Sequence, residues 1–342
     1  MTIIRSKAPL RIGFAGGGSD VSPFSDLYGG AILNATLNMY AYATIIPRQD
    51  GKIILNSVDK ELREEYDAVE VLDTGGELGL IKGICNRVTK EFVSQPLSFE
   101  LSTHVDAPPG SGLGSSSTLV VTILGAFREW LNLPLGEYDL AHLAYQIERE
   151  DMNMAGGKQD QYAATFGGIN FMEFYRDDKV IVNPLRVKTE VLDELAYNLI
   201  LLNTNTSRLS SQIIMAQQEN VKNNMKSSVE AMHHIKEQAH LMKEVLLRGE
   251  LDRMGEILNL GWEYKQKMAD NIVTEEIQDL YNKAMGAGAS GGKISGAGGG
   301  GFMLFYCPNN SRHKVIGELR EKIINIHRFE FTTTGLRSWK SE

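Results

Sequence analysis

The chain has 342 residues, of which 42% are hydrophobic and 23% charged, and its formal net charge is −8. This composition is typical of a globular protein with one large domain or two ordinary ones. The negative balance argues against a non-specific binder of nucleic acid or of an anionic membrane, so neither partner is expected.

The sequence carries no sign of export or membrane insertion. No apolar run approaches the roughly 20 residues that span a bilayer, and Arg5, Lys7 and Arg11 interrupt the apolar residues of the N-terminus, unlike a signal peptide. The two cysteines, Cys85 and Cys307, form no CxxC motif, which argues against a zinc site or a disulfide framework. We therefore expect a cytoplasmic protein, with Cys307 a buried small hydrophobe.

Strand and helix patterns are mixed in the first half of the chain. Alternating apolar residues predict strands, and three- to four-residue spacing predicts helices. In chain order these elements are a strand over 1–14, a loop over 15–20, β-rich segments over 31–47 and 52–57, a helix over 80–92, a strand over 97–105, helices over 115–131 and 137–152, a short helix after Gln159, and a strand pair over 168–185.

The second half is mainly helical after a strand over 197–203, and we place a domain boundary near 195, dividing 1–195 from 196–342. A strand at 302–306, a helix near 311–323 and a last strand near 324–334 complete the prediction. His233 and His234 are expected on a helix surface. A stripe at helical spacing predicts core packing: Val221, Met225, Val229, Met232, Ile235, Ala239 and Met242.

The most informative segment is 108–118, Pro-Pro-Gly-Ser-Gly-Leu-Gly-Ser-Ser-Ser-Thr, which runs into the apolar series 119–127. Alternating glycines let the backbone fold tightly against a ligand, and the serines cap the helix that follows. Unpaired N–H groups and the helix dipole then point the same way, so a phosphate cradle is predicted. The alternative is a turn that only caps the helix.

Two further glycine loops flank this segment, at 7–20 and at 293–302. Taken alone, the first reads as a strand ending in a flexible loop, and the second as a mobile linker. A Walker loop is excluded, because around Lys293 an alanine replaces the first glycine and an isoleucine the hydroxyl residue. A dinucleotide-binding fold is poorly supported, since no clean GxGxxG opens a helix.

The three loops in this order resemble those of the GHMP kinase superfamily. The segments are Ala-Pro-Leu-Arg at 8–11, the glycine loop, and Lys-Ile-Ser-Gly-Ala-Gly at 293–298. The resemblance implies an α+β fold, with an N-terminal nucleotide-binding domain and a C-terminal ferredoxin-like domain. It also implies that one loop binds the ATP phosphates through its backbone amides rather than through a Walker lysine. The residues of this loop are Pro109, Gly110, Ser111, Gly112, Leu113, Gly114, Ser115 and Ser116.

The resemblance also implies a role for Asp160, a carboxylate between the second and third loops. In the Gly-Gly-Lys-Gln-Asp segment at 156–160, Asp160 alone reads as a helix N-cap. In sugar and mevalonate kinases a similar segment supplies the residue that takes or orients the substrate hydroxyl proton, with a cation matching Arg11 beside it. The resemblance further implies that Ser116 and Glu148 ligate Mg²⁺, with Glu150 as the alternative acid.

Asp20 is the first candidate for sugar binding, because its spacing from Arg11 equals that in galactokinase. The neighbouring Glu-His of galactokinase is here replaced by Gly17 and Gly18, which opens the pocket and favours a larger or phosphorylated sugar. Ser19 completes this loop. On the third loop, Gly296 and Gly298 are further candidates for contact with the substrate.

The first loop and the catalytic segment are most similar to those of the branch that acts on heptose 7-phosphates, in the biosynthesis of nucleotide-activated heptose. The implied reaction transfers phosphate from ATP to the anomeric hydroxyl, giving the 1,7-bisphosphate. The substrate's own phosphate requires a cation, for which Lys158, Arg208 and the more remote Arg337 are candidates. A homodimer is left open.

Three other activities are compatible with these motifs. The first is a kinase for fucose, galactose or N-acetylgalactosamine, and the second is a nucleotide- or sugar-binding relative without catalysis. The third is a decarboxylase of the mevalonate-diphosphate type. Asp160, Arg11 and an acidic metal ligand are all present, which argues against a non-catalytic relative, and Asp20 argues against a decarboxylase.

Overall fold

A computed structural model describes residues 2–93, 95–204, 206, 210–269, 272–320 and 325–341. Within these residues, no helix has an apolar stretch long enough to cross a bilayer. The strands are β1 (Ile3–Ala15), β2 (Gly30–Pro47), β3 (Lys52–Ser57), β4 (Leu62–Asp67), β5 (Phe99–Val105), β6 (Ile169–Phe174), β7 (Val180–Pro184), β8 (Leu199–Asn203), β9 (Gly291–Ile294), β10 (Phe302–Tyr306), β11 (Ile326–His327) and β12 (Arg337–Ser341). The helices are α1 (Phe24–Tyr28), α2 (Gly79–Val88), α3 (Ser115–Leu131), α4 (Glu137–Gln146), α5 (Gln159–Phe166), α6 (Thr189–Asn198), α7 (Ser210–Lys222), α8 (Lys226–Arg248), α9 (Asp252–Lys265), α10 (Glu275–Gly286) and α11 (Arg312–Arg320).

The larger sheet is organised around β2, a strand of 18 residues. The strand order is β12-β1-β2-β5-β3-β4, and β6 and β7 extend from the first half of β2. The pairing of β1 with β2 shifts register twice, between Pro9 and Arg11 and between Gly13 and Ala15. Because a bulge re-aims the side chains beside it, these shifts allow Arg11 to leave the regular strand pattern and enter the cleft described below.

Helix α3 covers one face of this sheet, as its apolar series predicts. Its residues from 120 to 127 are all buried. Phe127 packs edge-to-face on Phe99 of β5, with ring centroids 5.4 Å apart. Burying a side chain of this size contributes about 1.5–3 kcal/mol. The helix is therefore firmly seated on the sheet, and its N-terminus is held in a fixed position.

The smaller sheet is antiparallel, in the order β11-β8-β10-β9. Alternation along β10 places Phe302, Leu304 and Tyr306 in the core shared with the larger sheet. Met303 and Phe305 face a second core formed with α10 and α11, which also contains Cys307, buried as predicted. One face of β10 thus packs in the core shared with the larger sheet, and the other face packs in the core of the smaller sheet and its helices.

The chain passes from the larger sheet to the smaller one near the predicted boundary, and its last strand returns to the larger sheet. Position 195 lies within α6, just before β8 begins the smaller sheet. The last strand, β12, pairs with β1 of the larger sheet, and Phe331 bridges to Leu37. The prediction of a strand over 324–334 is largely wrong: among the described residues 325–334, only Ile326–His327 form a strand, and the chain beyond them crosses to the first sheet. The division into 1–195 and 196–342 stays a prediction.

The predicted apolar stripe is confirmed except at one position. Met225 is 52% exposed, because Asn224 adopts a left-handed φ of 50° that separates α7 from α8. The other six stripe residues are buried, and His233 and His234 are exposed as expected. A helical periodicity that spans a break thus misplaces the residue at the break.

Candidate active site

The glycine loop at 109–114 and the N-terminus of α3 line a cleft of about 610 Å³. Gly110, Gly112 and Gly114 all have φ between 75° and 79°, the left-handed region that favours glycine. At Gly112 an added Cβ would lie 2.4 Å from the carbonyl oxygen of Ser295, so the third glycine loop packs directly on this one. Loop N–H groups and a helix N-terminus at a cleft form a ready site for phosphate.

Most of the predicted phosphate-binding residues line this cleft, namely Pro109, Gly110, Gly112, Gly114, Ser115 and Ser116. Ser111 and Leu113 do not line the cleft; their carbonyls hold the loop to neighbouring strands. The Ser111 carbonyl accepts a hydrogen bond from the N–H of Phe302, and the Leu113 carbonyl accepts one from the N–H of Arg11. Both residues are buried. The loop is therefore fixed to strands of both sheets.

Asp160 lies in the first turn of α5 and pairs with Arg11 of β1. The Arg11 Nε donates to Asp160 Oδ1 at 2.7 Å, and Nη2 lies 2.6 Å from the same oxygen. Arg11 Nη1 also donates to the Gly112 carbonyl at 2.5 Å. Arg11 is 4% exposed and the Asp160 side chain 22%. The buried Arg11 guanidinium thus orients both the Asp160 carboxylate and the phosphate loop. Asp160 is not the N-cap of α5, because it lies within the first turn of that helix.

Asp20 is buried beside the catalytic segment. Its Oδ2 accepts from the N–H of Gln159 at 3.1 Å, and its Oδ1 accepts from the N–H of Gly18 at 3.2 Å. Burial raises the pKa of this carboxyl, and the nearby charge of Asp160 adds to the rise. Asp20 therefore ties the first glycine loop to α5 and lines the same cleft as Asp160.

Replacing Gly157 by alanine tests this arrangement. An added Cβ would lie 1.9 Å from Asp20 Oδ2, and the clash is relieved only if the carboxylate leaves its hydrogen bonds from the N–H groups of Gln159 and Gly18. We expect Gly157→Ala to displace Asp20, to lower the free energy of unfolding by about 1–3 kcal/mol, and to raise the KM for the substrate that this cleft binds. Thermal unfolding and steady-state kinetics measure these effects, with Gly286→Ala, whose Cβ would meet nothing within 4 Å, as the control. Unchanged stability and KM would contradict the role given to Asp20.

Ser116 and Glu148 form the second polar pair of the cleft. Ser116 Oγ donates to Glu148 Oε1 at 3.2 Å, and Gln161 Nε2 donates to Oε2 at 2.5 Å. Glu148 is 1% exposed and lines the cleft, whereas Glu150, the alternative acid, is exposed. A hydroxyl and a carboxylate oxygen beside a phosphate loop suit Mg²⁺, which prefers oxygen ligands and keeps several waters.

Lys158 and Ser19, two of the predicted substrate-binding residues, do not line the cleft. Lys158 is 1% exposed, but its ammonium lies 2.7 Å from an Asp178 oxygen and 3.4 Å from Asp26, outside the cleft. The Ser19 hydroxyl donates to the carbonyls of Gly16 and Ala31 inside its own loop, so it does not line the cleft either.

The remaining predicted substrate contacts divide between cleft and surroundings. Gly17, Gly18 and Gly296 line the cleft. Gly298 does not, because it packs against Ile272. Arg337 lies exposed on β12. Arg208, the other predicted cation, lies outside the described residues.

Two lysines of the cleft were not predicted as site residues. Lys265 ends α9 and Lys293 lies on β9, and both line the cleft. Lys293 opens the third glycine loop, so its position in that motif was a usable signal. Lys265 lies on a helix whose sequence carries no local mark of function.

A helix-bound phosphate loop, a carboxylate paired with a buried arginine, and a serine–glutamate pair define a site suited to phosphoryl transfer. Residues 79–168 match the model for the GHMP kinases N terminal domain, and residues 242–325 match that for the GHMP kinases C terminal. The chain is 46% identical to D-glycero-alpha-D-manno-heptose 7-phosphate kinase of Campylobacter jejuni, over 99% of this chain and 100% of that protein. It therefore belongs to the GHMP kinases.

Two solved structures place the fold. The chain is similar to a D-glycero-D-manno-heptose 1-phosphate kinase from Bacteroides thetaiotaomicron, with a TM-score of 0.85, 44% identity and 99% of each chain covered. It also resembles the Lactococcus lactis galactokinase solved with galactose, with a TM-score of 0.78, 20% identity, and 98% of this chain and 95% of that chain covered. The second likeness is one of fold alone. The predicted α+β kinase fold with its two domains is confirmed.

Proposed function

We propose that this GHMP kinase transfers the γ-phosphoryl group of ATP to the anomeric hydroxyl of D-glycero-D-manno-heptose 7-phosphate, giving the 1,7-bisphosphate and ADP. The observation that carries the proposal is the Asp160–Arg11 pair, held at 2.7 Å in the cleft that the phosphate loop lines. The full-length identity of 46% to a kinase named for this sugar phosphate supports the choice of substrate. The product would enter the biosynthesis of nucleotide-activated heptose.

In this reaction the anomeric oxygen forms a bond to the γ-phosphorus, while the bond from that phosphorus to the β–γ bridging oxygen breaks and ADP leaves. The hydroxyl proton passes to the carboxylate of Asp160. Arg11 fixes that carboxylate by two nitrogen contacts and holds the loop through Gly112. Phosphoryl transfer needs mainly positioning and charge neutralisation, which these groups provide.

Ser116 and Glu148 would hold Mg²⁺ against the ATP phosphates. When bound, the ion would neutralise charge on the β- and γ-phosphates. Gln161 fixes the Glu148 carboxylate from the side away from Ser116, so the acid is oriented before the ion arrives.

Removing the Glu148 charge tests this ligand set. We expect Glu148→Gln to raise the Mg²⁺ concentration needed for half-maximal rate by about 10- to 100-fold, the size of one lost charge-assisted contact. Glu150→Gln, two residues away and exposed, is the matched control and is expected to leave that concentration unchanged. The assignment fails if the effect appears in Glu150→Gln instead, or if both variants titrate with Mg²⁺ like the wild type.

A substrate panel tests the proposed function. The wild-type protein is incubated with ATP, Mg²⁺ and, separately, heptose 7-phosphate, unphosphorylated heptose, fucose, galactose, N-acetylgalactosamine or mevalonate, and ADP release is followed. We expect the highest kcat/KM with heptose 7-phosphate. Efficient turnover of fucose or galactose with none of heptose 7-phosphate would overturn the substrate. ATP binding without turnover of any sugar would favour a non-catalytic relative.

A further inference from the structure

Lys265 and Lys293 have no role in the chemistry derived above. Both line the active-site cleft, and both also line a narrow recess that continues from it beside Gly16 and Gly17. They come from α9 and β9, so two separate elements deliver an ammonium to the same place. The recess lies on the side of the cleft formed by the first glycine loop.

Neither lysine has a carboxylate ion-pair partner within the part of the chain that the structure describes. Lys265 is 4% exposed, and its Nζ donates one hydrogen bond, at 2.7 Å, to the Gly296 carbonyl. The Lys293 ammonium has no hydrogen-bond or ion-pair partner among those same residues. An ammonium carries three donors, so most N–H groups of the two lysines have no acceptor among the described residues.

Lys265 is buried and Lys293 half-buried, and an ammonium withdrawn from water without an anionic partner costs free energy, which lowers its pKa. Burial lowers the pKa of Lys265 to about 8, with the charge of Asp20 opposing the shift and that of Arg11 adding to it. Burial lowers the pKa of Lys293 well below its ordinary value, and the charges of Lys265 and Arg11 lower it further. A bound anion would remove this cost, because it would pair with both ammonium groups.

The space beside the lysines is open at Gly17. An added Cβ there would meet no atom within 4 Å, whereas at Gly18 it would lie 2.6 Å from the end of the Met268 side chain. Asp20 connects the two ends of the site, since it accepts from Gly18 and from Gln159, the residue before Asp160. A sugar bound at Asp20 would therefore lie in the same cleft as Asp160 and Gly17, between the first glycine loop and the start of α5.

We propose that Lys265 and Lys293 bind the phosphate group that the sugar substrate already carries, in the space beside Gly17. This inference rests on the proposed function, because it assigns the far end of the same substrate. Specificity for a phosphorylated sugar would then come from two lysines of the C-terminal half of the chain. Lys158 does not fill this role, because its ammonium pairs with Asp178 and Asp26.

The competing assignment is to the phosphates of ATP. Gly296, which accepts from Lys265, packs against Gly112 of the phosphate loop, with an added Cβ at Gly296 only 2.8 Å from Gly112 Cα. If the lysines bind ATP, replacing them should lower kcat/KM equally for every sugar. If they bind the sugar phosphate, replacing them should lower kcat/KM only for the phosphorylated sugar.

The test compares heptose 7-phosphate with unphosphorylated heptose in the wild type, Lys293→Met and Lys265→Met. We expect Lys293→Met to lower kcat/KM for heptose 7-phosphate by about 10- to 100-fold, mainly through KM, the effect of losing one charge-assisted contact. The KM for ATP and the kcat/KM for unphosphorylated heptose should change less than about threefold. Lys293→Arg, which keeps the charge, should recover part of the loss.

Matched controls keep the result interpretable. Lys267→Met removes an exposed lysine two residues from Lys265 and should leave both substrates unaffected. Calorimetric titration of heptose 7-phosphate without ATP measures the same loss as binding. Lys265 also donates to the Gly296 carbonyl, so Lys265→Met is checked for folding by thermal unfolding. If that variant is unfolded, the kinetics of Lys293→Met alone test the proposal.

The outcomes separate the two proposals. A wild type that fails to turn over heptose 7-phosphate overturns the proposed function. A wild type that turns it over, with Lys293→Met lowering kcat/KM equally for both sugars or raising the KM for ATP, overturns the assignment of the lysines alone. Selective loss with the phosphorylated sugar supports both proposals.

Discussion

Asp160→Asn is expected to lower kcat about 1,000-fold, within the 10²- to 10⁴-fold range of a lost general base. The amide keeps the size of the side chain but cannot take the hydroxyl proton. It also leaves Arg11, 4% exposed, without its anionic partner. Because Asp160 is assigned to the acceptor hydroxyl, the KM for ATP should change less than about threefold. Steady-state kinetics with heptose 7-phosphate measure both quantities.

Asp177→Asn is the matched control for this variant. Asp177 lies exposed in a turn with a φ of 57°, a conformation that asparagine adopts well, so neither fold nor rate should change. A kcat within tenfold of the wild type in Asp160→Asn, with intact folding, would remove the proton-acceptor role. A purely electrostatic role predicts a small solvent isotope effect on kcat, which distinguishes it from direct proton transfer.

Arg11→Met is expected to have the second largest effect, a loss of about 100-fold or more in kcat together with reduced stability. The variant removes the contacts to Asp160 and the 2.5 Å hydrogen bond to the Gly112 carbonyl. Breaking a fully buried pair costs 3–5 kcal/mol, and since the Asp160 side chain is 22% exposed we expect roughly 2 kcal/mol. Denaturant unfolding and kinetics measure the two losses.

A double-mutant cycle separates the two functions of this arginine. If Arg11 acts through Asp160, adding Arg11→Met to Asp160→Asn should lower kcat little further, because the pair acts as a unit. Full additivity of the two losses would contradict the coupling. Arg11→Lys should not restore the rate, since an ammonium cannot contact Asp160 and the Gly112 carbonyl with the same planar fork.

Much of the fold could be predicted because its signals are local. The helix over 115–131 and the strands over 52–57 and 302–306 match the structure residue for residue, since glycines or turn residues border each apolar run. The strand β12 was missed, because Arg337–Ser341 carries little apolar pattern of its own and depends on pairing with β1. Only long-range hydrogen bonding defines such an edge strand.

The site residues show the same contrast between positions marked by a local motif and positions set by tertiary packing. Loop residues and Asp160 lie in motifs that sequence makes visible, and the structure brings Asp160, Arg11 and Gly112 into contact. The positions of Lys158 and Lys265 could not be inferred from the local sequence. Lys158 stands two residues before Asp160 in sequence, yet its ammonium lies beside Asp178, whereas Lys265 is distant in sequence and lines the cleft. The direction of a long side chain depends on the tertiary packing around it.

The most direct test of the central claim is the position of the new phosphate. The wild-type protein is given ATP, Mg²⁺ and D-glycero-D-manno-heptose 7-phosphate, and the product is examined by ³¹P and ¹H NMR. We expect a second phosphate resonance coupled to the anomeric proton, formed one for one with ADP and about 1,000-fold more slowly with Asp160→Asn. A phosphate on any other carbon, or no sugar bisphosphate while ATP binds normally, would contradict it.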